Sequence, residues 1–592
     1  MNTLHRLLPL LFSISAPLAA TAQFSSDPAA NLAVADLVTE EAQPKIVANV
    51  DGGAYVSWFS SEPSGSPAFG YDVYLQRLDS AGNEMWGHGG ILIADRGFSS
   101  TQDYALSVDP AGNALLAFRD DRFTGVQVTA AKVDPSGNQV WGPNGVQLTS
   151  TTAFLAAPTI AGASDGGVVV GWTENNSIGL QRLDAGGAAT WGANIVLSAP
   201  SGSYSMSDMQ AGDAGSVIFS FIFAAGGFGS NRHIYAQKIS AAGAPQWGSS
   251  HVKVFDGGSL QFGAFPNFIG DGAGGAVFSW YSSSPALEAY AQHILANGSE
   301  AFAHNGVSAS TDASQVRVSP AIAFDAAEQE TFLVYEELSA SQSQSGLSAQ
   351  KFDATGNRMW GATGTNLIAL GLTKVGDVAI VALEDGAQLI WSESAGFGQD
   401  TLHAQVLDDS SAVLSAPTDL SSTSASKYRV SAAKSTLGFA MVTWQDNSSG
   451  SEDMLVQNYL PSGDLGGLAT SQARNGSGAN PVVFSSTSAP SLGGLWDTTV
   501  DKAGVPGNLG SLMFVYVGAS SGLLLAEGEV LVDPFSAFVL SSAANSSPTS
   551  DTRSMPIPAV IDFVGAQLST QVLILHPTAS VLTNAIDITL GL

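Results

Sequence analysis

The sequence predicts an all-β protein: an eight-bladed β-propeller closed by its own N-terminal strand, followed by a small C-terminal β-sandwich. Three observations carry this prediction: a composition rich in turn formers, two markers that each recur eight times, and an orphan strand near the N-terminus. Among 592 residues there are 65 glycines and 25 prolines, 45% of the chain is hydrophobic and 12% is charged. That is enough apolar material for a large core, and Gly and Pro punctuate it into short strands rather than helices.

The markers recur along residues 31–464 with a period of about 50 residues, which signals blades or solenoid turns. The first is a Gly-rich turn and an apolar strand ending in an aromatic, at Trp58, Phe118, Trp172, Phe221, Trp280, Tyr335, Trp391 and Trp444. The second runs from Gln76-Arg77-Leu78-Asp79 through a Gly-containing turn to Trp86-Gly87. It recurs ending at Trp141, Trp191, Trp247, Phe302 and Trp360, and keeps only its strand at Gln405 and Gln457. Each repeat holds four strands of ordinary length, in the first repeat over 44–50, 54–59, 72–78 and 91–94. Four antiparallel strands make a propeller blade, whose faces are buried by its neighbours. Trp58, Trp172, Trp280, Trp391 and Trp444 are therefore expected to be structural, buried between blades.

Asn31-Leu32-Ala33-Val34-Ala35-Asp36 matches Gly90-Ile91-Leu92-Ile93-Ala94-Asp95, a fourth strand, while the last repeat, ending near Asp464, lacks one. Joining the two closes the ring and covers an exposed edge. The turns Asp79–Asn83, Asp109–Asn113 and Asp134–Asn138 share an Asp able to accept backbone amides and a Gly suited to positive φ. They lack the dense alternating acids of a calcium loop, so no metal is expected there.

Gly463 to Asn480 loses the repeat and is rich in Gly and Ser, so 465–480 reads as a linker. Short apolar runs over 512–517, 523–526, 537–541, 571–575 and 585–590 place a β-sandwich over 481–592. Residues 1–22 carry His5 and Arg6, the apolar stretch Leu7 to Ala16 and a small-residue site at Ala20-Thr21-Ala22, which predicts a signal peptide and a secreted or cell-surface protein.

The Asp turn followed by Trp resembles the Asp box of sialidases, with a changed spacing: Asp-x-x-Gly-x-x-x-Trp replaces Ser-x-Asp-x-Gly-x-x-Trp. The box is structural in that family and transfers no active site. Ala489-Pro490-Ser491-Leu492-Gly493, Pro556-Ile557-Pro558, Val564-Gly565 and Thr583-Asn584-Ala585-Ile586 resemble the C-terminal β domain that ends many large secreted bacterial repeat proteins. With the repeat, this likens the chain to a secreted bacterial β-propeller repeat protein. The resemblance implies surface deployment and brings no catalytic residues.

A net charge of −30 argues against nucleic acid as a partner, and the absence of cysteine removes disulfides and thiolate chemistry. Gly-x-Ser-x-Gly occurs at 162–166 and 518–522, outside the strand-to-helix elbow that a hydrolase nucleophile needs. His88, His233, His251, His293, His304, His403 and His576 show no zinc spacing, with His293 standing where other repeats carry Lys or Arg. No cofactor is expected. One pattern stands out: two positions after the marker aromatic come Asp120, Glu174, Glu337, Glu393 and Asp446. Their loops share a face, so they either bind a ligand or accept hydrogen bonds that hold the fold. The expected role is binding of a glycan or surface protein on a propeller face. The alternative is a secreted polysaccharide hydrolase or lyase whose acid and base come from that face.

Overall fold

The computed structural model describes residues 23–61, 70–97, 99–100, 104–227 and 229–592. The expected signal peptide lies outside them. The described chain is all-β, with one short 3-10 turn at Ile561–Phe563 and no α-helix. No helix among the described residues is long and apolar enough to cross a membrane.

Between Leu32 and Tyr459 the strands form eight antiparallel sheets in a propeller-like arrangement. The first sheet comprises Glu41–Ala48, Ala54–Ser61, Tyr71–Leu78 and Ile91–Ala94. Its first strand begins three residues before the expected 44–50. The fifth sheet is the exception to four strands, because its first strand is split into Ser259–Leu260 and Phe268–Gly270. The second strands, such as Ala54–Ser61 and Ala440–Asp446, are buried nearly throughout because each sheet is covered on both faces. Hence they read as continuous apolar runs rather than alternating ones. First strands touch first strands from sheet to sheet, and Lys427–Lys434 of the eighth touches Glu41–Ala48 of the first.

The markers have distinct tasks. Trp58, Trp172, Trp280, Trp391 and Trp444 are all at most 2% exposed. The Trp of the second marker crosses to the next sheet: the indole N–H of Trp86, Trp141, Trp191, Trp247 and Trp360 donates to a turn carbonyl there at 2.8–3.3 Å. For the first four of these, that turn's glycine packs against the ring. At Gly298, with φ of 85°, a Cβ would lie 2.8 Å from Trp247. The marker Gln is a latch. Its Nε2 donates to the carbonyl of the residue after the aromatic, from Gln76 to Gly87, Gln237 to Gly248, Gln292 to Ala303 and Gln350 to Gly361, at 2.7–3.0 Å.

The eighth sheet is completed from the other end of the chain. Leu32–Ala35 pairs antiparallel with Asp453–Tyr459. Gln457 donates to Ser25 O at 3.1 Å, and Phe24, 1% exposed, fills the place of the marker aromatic. A Cβ on Gly82 would come within 2.9 Å of the Phe24 ring. The aromatic missing after Gln457 is thus supplied by Phe24, while in the seventh sheet Ser415 takes its place and accepts the Gln405 latch at 3.1 Å.

Beyond the ring, Thr470–Arg474, Val581–Thr589, Gln567–Leu575, Gly510–Tyr516 and Phe538–Ala544 form a five-stranded sheet. A two-stranded sheet and a three-stranded sheet accompany it, and the three-stranded one shares with it a core that includes Trp496, Val500 and Ile586. The stretch expected as a linker therefore contains a strand. Its polar side chains gave no apolar signal, and Arg474 is held by Asp587 at 2.5 Å. The C-terminal Leu592 packs in the same cluster as Phe24 and Leu32.

Candidate functional site

Successive antiparallel strands put the start of each first and third strand, and the end of each second and fourth, on one side of the ring. We call this side the rim. The other side holds the Asp turns, which close on themselves: Asp79 accepts the amides of Ala81 and Asn83 at 3.0 and 2.8 Å. There the base of the second marker meets the acid of the preceding turn. Arg77 pairs with Asp51, Lys132 with Asp109, Arg182 with Asp165 and Lys238 with Asp213. His293 joins this series, bound to Asp271 at 3.0 Å.

On the rim the first strands are irregular. Register slips at 42/45, 156/159, 206/208, 318/321, 376/379 and 428/431. Within five of these bulges a residue other than glycine adopts left-handed backbone: Gln43 (φ 59°), Ala157 (46°), Ser319 (49°), Asp377 (45°) and Arg429 (57°). Such conformations cost about 1–3 kcal/mol each and gather where a fold re-aims side chains for function.

The first strands enclose a channel with a cavity of about 820 Å³ and an adjoining one of about 500 Å³, which share Phe265, Asn267, Phe268, Ile269, Ser431 and Ala432. The charged side chains in the larger wall are Lys45 and Asp208. Asp208 accepts N–H from Met209, Phe268 and Gln210 at 2.8–3.2 Å, and burial raises its pKa. The Lys45 ammonium lies 5.0 Å over the Tyr104 ring. Burial lowers its pKa, Asp208 opposes that shift and Arg429 adds to it.

On the rim stand exposed apolar side chains: Phe397 and Leu372 at 99% and 89%, Phe154 at 61%, and also Phe262, Phe265 and Tyr428, of which Phe154 and Phe265 line the channel. Guanidinium groups cover two of them, Arg119 5.7 Å over Phe154 and Arg232 4.4 Å over Phe262.

The five repeated acids lie on this rim, and each has a partner within the fold. Glu174, Glu393 and Asp446 accept the indole N–H of Trp172, Trp391 and Trp444, two residues earlier, at 3.2, 3.0 and 2.9 Å. Asp446 also meets Lys427 in a wholly buried pair. Where the aromatic is Phe118 or Tyr335, an arginine substitutes: Arg122 binds Asp120 at 2.7 Å, and Arg317 joins Glu337 to Glu288 at 2.9 and 2.8 Å. Trp58 and Trp280 are followed at the same offset by Ser60 and Ser282, and their indole N–H groups are buried without a hydrogen-bond acceptor.

Gly162 to Gly166 forms a turn region on the side opposite the rim, where Ser164 Oγ accepts the Gly215 amide at 2.9 Å. No group of three or more His, Asp or Glu side chains poised for a metal occurs among the described residues. The channel and mouth residues were not singled out by the sequence reading. The available signal was a proline in the first strand, at Gln43-Pro44, Ala157-Pro158 and Ser319-Pro320, which breaks a strand's hydrogen-bond ladder.

No family model matches the chain, and no curated protein matches it. Among solved structures it is similar to a protein of unknown function from Dyadobacter fermentans, with 9% identity and a TM-score of 0.35 over 74% of this chain and 98% of that one. It is also similar to prolyl oligopeptidase B from Galerina marginata, with 11% identity and a TM-score of 0.37 over 69% and 56% of the two chains. A third is the polysaccharide lyase Uly1, with 10% identity and a TM-score of 0.36 over 70% and 88%. At such identities and scores the chemistry of those proteins stays with them.

Proposed function

We propose that this chain is an exported eight-bladed propeller with a C-terminal β-sandwich, and that it binds a glycan at the rim and channel mouth. One observation carries the binding reading: the rim bears exposed aromatic and apolar side chains, with Phe154 and Phe265 at a channel whose wall departs from regular strand geometry on that side. Aromatic faces present apolar surface that suits the C–H faces of sugar rings, and a concave wall supplies polar groups to fix orientation. The eight sheets, the contact between the last and the first, and the completion of the eighth sheet by Phe24 to Ala35 support the closed ring. The five repeated acids enter as braces of the rim, since each is engaged by an indole, an arginine or a lysine.

The second reading is a polysaccharide hydrolase or lyase, and the facing of Asp208 and Lys45 in the channel favours it. A glycan and polysaccharide array read for both retention and product release tests the two together. Retention without release is the expected result, and release that disappears in Asp208→Asn would replace the binding reading with the enzymatic one.

A further inference from the structure

We propose that the glycan taken by the channel carries a carboxylate and that the ammonium of Lys45 reads it, an inference that rests on the glycan reading above and narrows its ligand class. The charge layout runs against the chain as a whole. The protein carries −30, and on the turn side the marker bases are spent on turn acids: Arg77 on Asp51, Lys132 on Asp109, Arg182 on Asp165, Lys238 on Asp213.

Lys45 differs from them. It stands in the wall of the 820 Å³ cavity, over the Tyr104 ring, and has no ion pair among the described residues. Two charged groups act on it: Asp208, which opposes the effect of burial, and Arg429, which adds to it. The Asp208 oxygens are already taken by three N–H donors. Lys45 and Asp208 are the charged side chains of that wall. A partly desolvated ammonium held in no ion pair gains from an incoming anion, because burial has removed the water that would otherwise solvate it.

The rest of the wall suits a saccharide around that anion. Phe154 and Phe265 line the same cavity and offer apolar faces, while Ser107, Thr173 and Asn175 offer hydroxyl and amide partners. A cavity of about 820 Å³ is within the size range of small-molecule sites, enough for a short stretch of chain.

The test uses the full chain and matched ligands. Polygalacturonate, alginate and hyaluronan are each compared with the carboxyl-reduced polymer of the same backbone, beside neutral mannan, xylan and cellulose. The expected result is at least tenfold tighter retention of the acidic member of one or more pairs, weakening as salt rises and lost in Lys45→Met but kept in Lys45→Arg. Melting curves of the variants confirm that they fold, and the comparison within each pair stands on the wild-type protein alone. Equal retention of acidic and reduced forms, or retention of neutral polymers only, overturns the carboxylate proposal and leaves the glycan reading intact. A preference for acid that survives Lys45→Met overturns the role of Lys45. No retention of any polymer overturns both.

Discussion

The two sides of the ring are built from the same strands and differ in what their ends do. On the turn side most repeats use the same devices: an Asp closes the turn in five of eight, a glycine seats the neighbouring aromatic, and a base pairs with an acid in six. On the rim the repeats diverge, with bulges, left-handed residues of five kinds, and exposed apolar side chains of no fixed position. Regularity marks the groups that hold the ring together, and divergence marks the groups free to meet something else. The rim acids belong to the first kind although they sit on the second side, since an indole or a cation occupies each of them.

The sharpest way to break this distinction is at Asp446. Replacing it by Ala strands the buried Lys427 and removes the acceptor of Trp444, and losing one partner of a buried pair costs about 3–5 kcal/mol. Trp444→Ala should cost a similar amount, about 3–5 kcal/mol, as a large core truncation. Denaturant unfolding checks both. A loss below about 1 kcal/mol for Asp446→Ala would mean that the acid is not a brace.

The exposed rim aromatics should behave in the opposite way. Phe154→Ala with Phe265→Ala should change stability by no more than about 0.5 kcal/mol, as surface substitutions usually do. The same pair should weaken glycan retention at least tenfold, about 1.4 kcal/mol. Unchanged retention would move the site away from the channel.

Stability should also depend on pH in a definite sense. Burial pushes Glu41 and Glu288 up to about 7 from the ordinary 4.5, in Glu288 against the pull of Arg317. The folded state therefore holds more protons than the unfolded one between these values, and stability falls as pH rises from 4.5 through 7. Asp353 behaves in the reverse way. Against desolvation, hydrogen bonds from Asn357 and Thr355 hold it at about 2, so its contribution is present above the ordinary 3.8 and lost as pH falls towards 2. The melting temperature is expected to peak in mild acid, and a curve that rises steadily from pH 5.5 to 8 would contradict this.

The smallest effect is expected at His88. Hydrogen bonds to Asp36 and Glu84 raise its pKa and tie the fourth strand of the eighth sheet to the first sheet, as His304 does with Glu300 and Asp256. His88 is 49% exposed, so His88→Gln should cost only a fraction of a kcal/mol below pH 6, shrinking as pH rises and the histidine loses its charge.

Much of this was legible in the sequence because repetition amplifies weak signals. One Trp-Gly after a Gln strand means little, but several at similar spacing announce a repeated sheet. The Trp-x-acid spacing was visible in the same way, although only the structure put the indole on the carboxylate. What stayed hidden was non-repetitive or distant. Phe24 completes a repeat whose Gln lies at 457, and no local pattern connects them. The left-handed residues are Gln, Ala, Ser, Asp and Arg, chosen by bulge geometry rather than by propensity. Phe154, Phe262 and Phe397 sit at unrelated loop positions, where sequence gives an aromatic but not its exposure.

The most direct measurement compares the two sides in one experiment. Phe154→Ala/Phe265→Ala on the rim and Met85→Ala/Val140→Ala on the turn side both remove exposed apolar surface from a folded ring. On a glycan and polysaccharide array, the rim variant should lose retention while the turn-side variant keeps it. Equal losses, or a loss confined to the turn-side variant, would contradict the assignment of function to the divergent side.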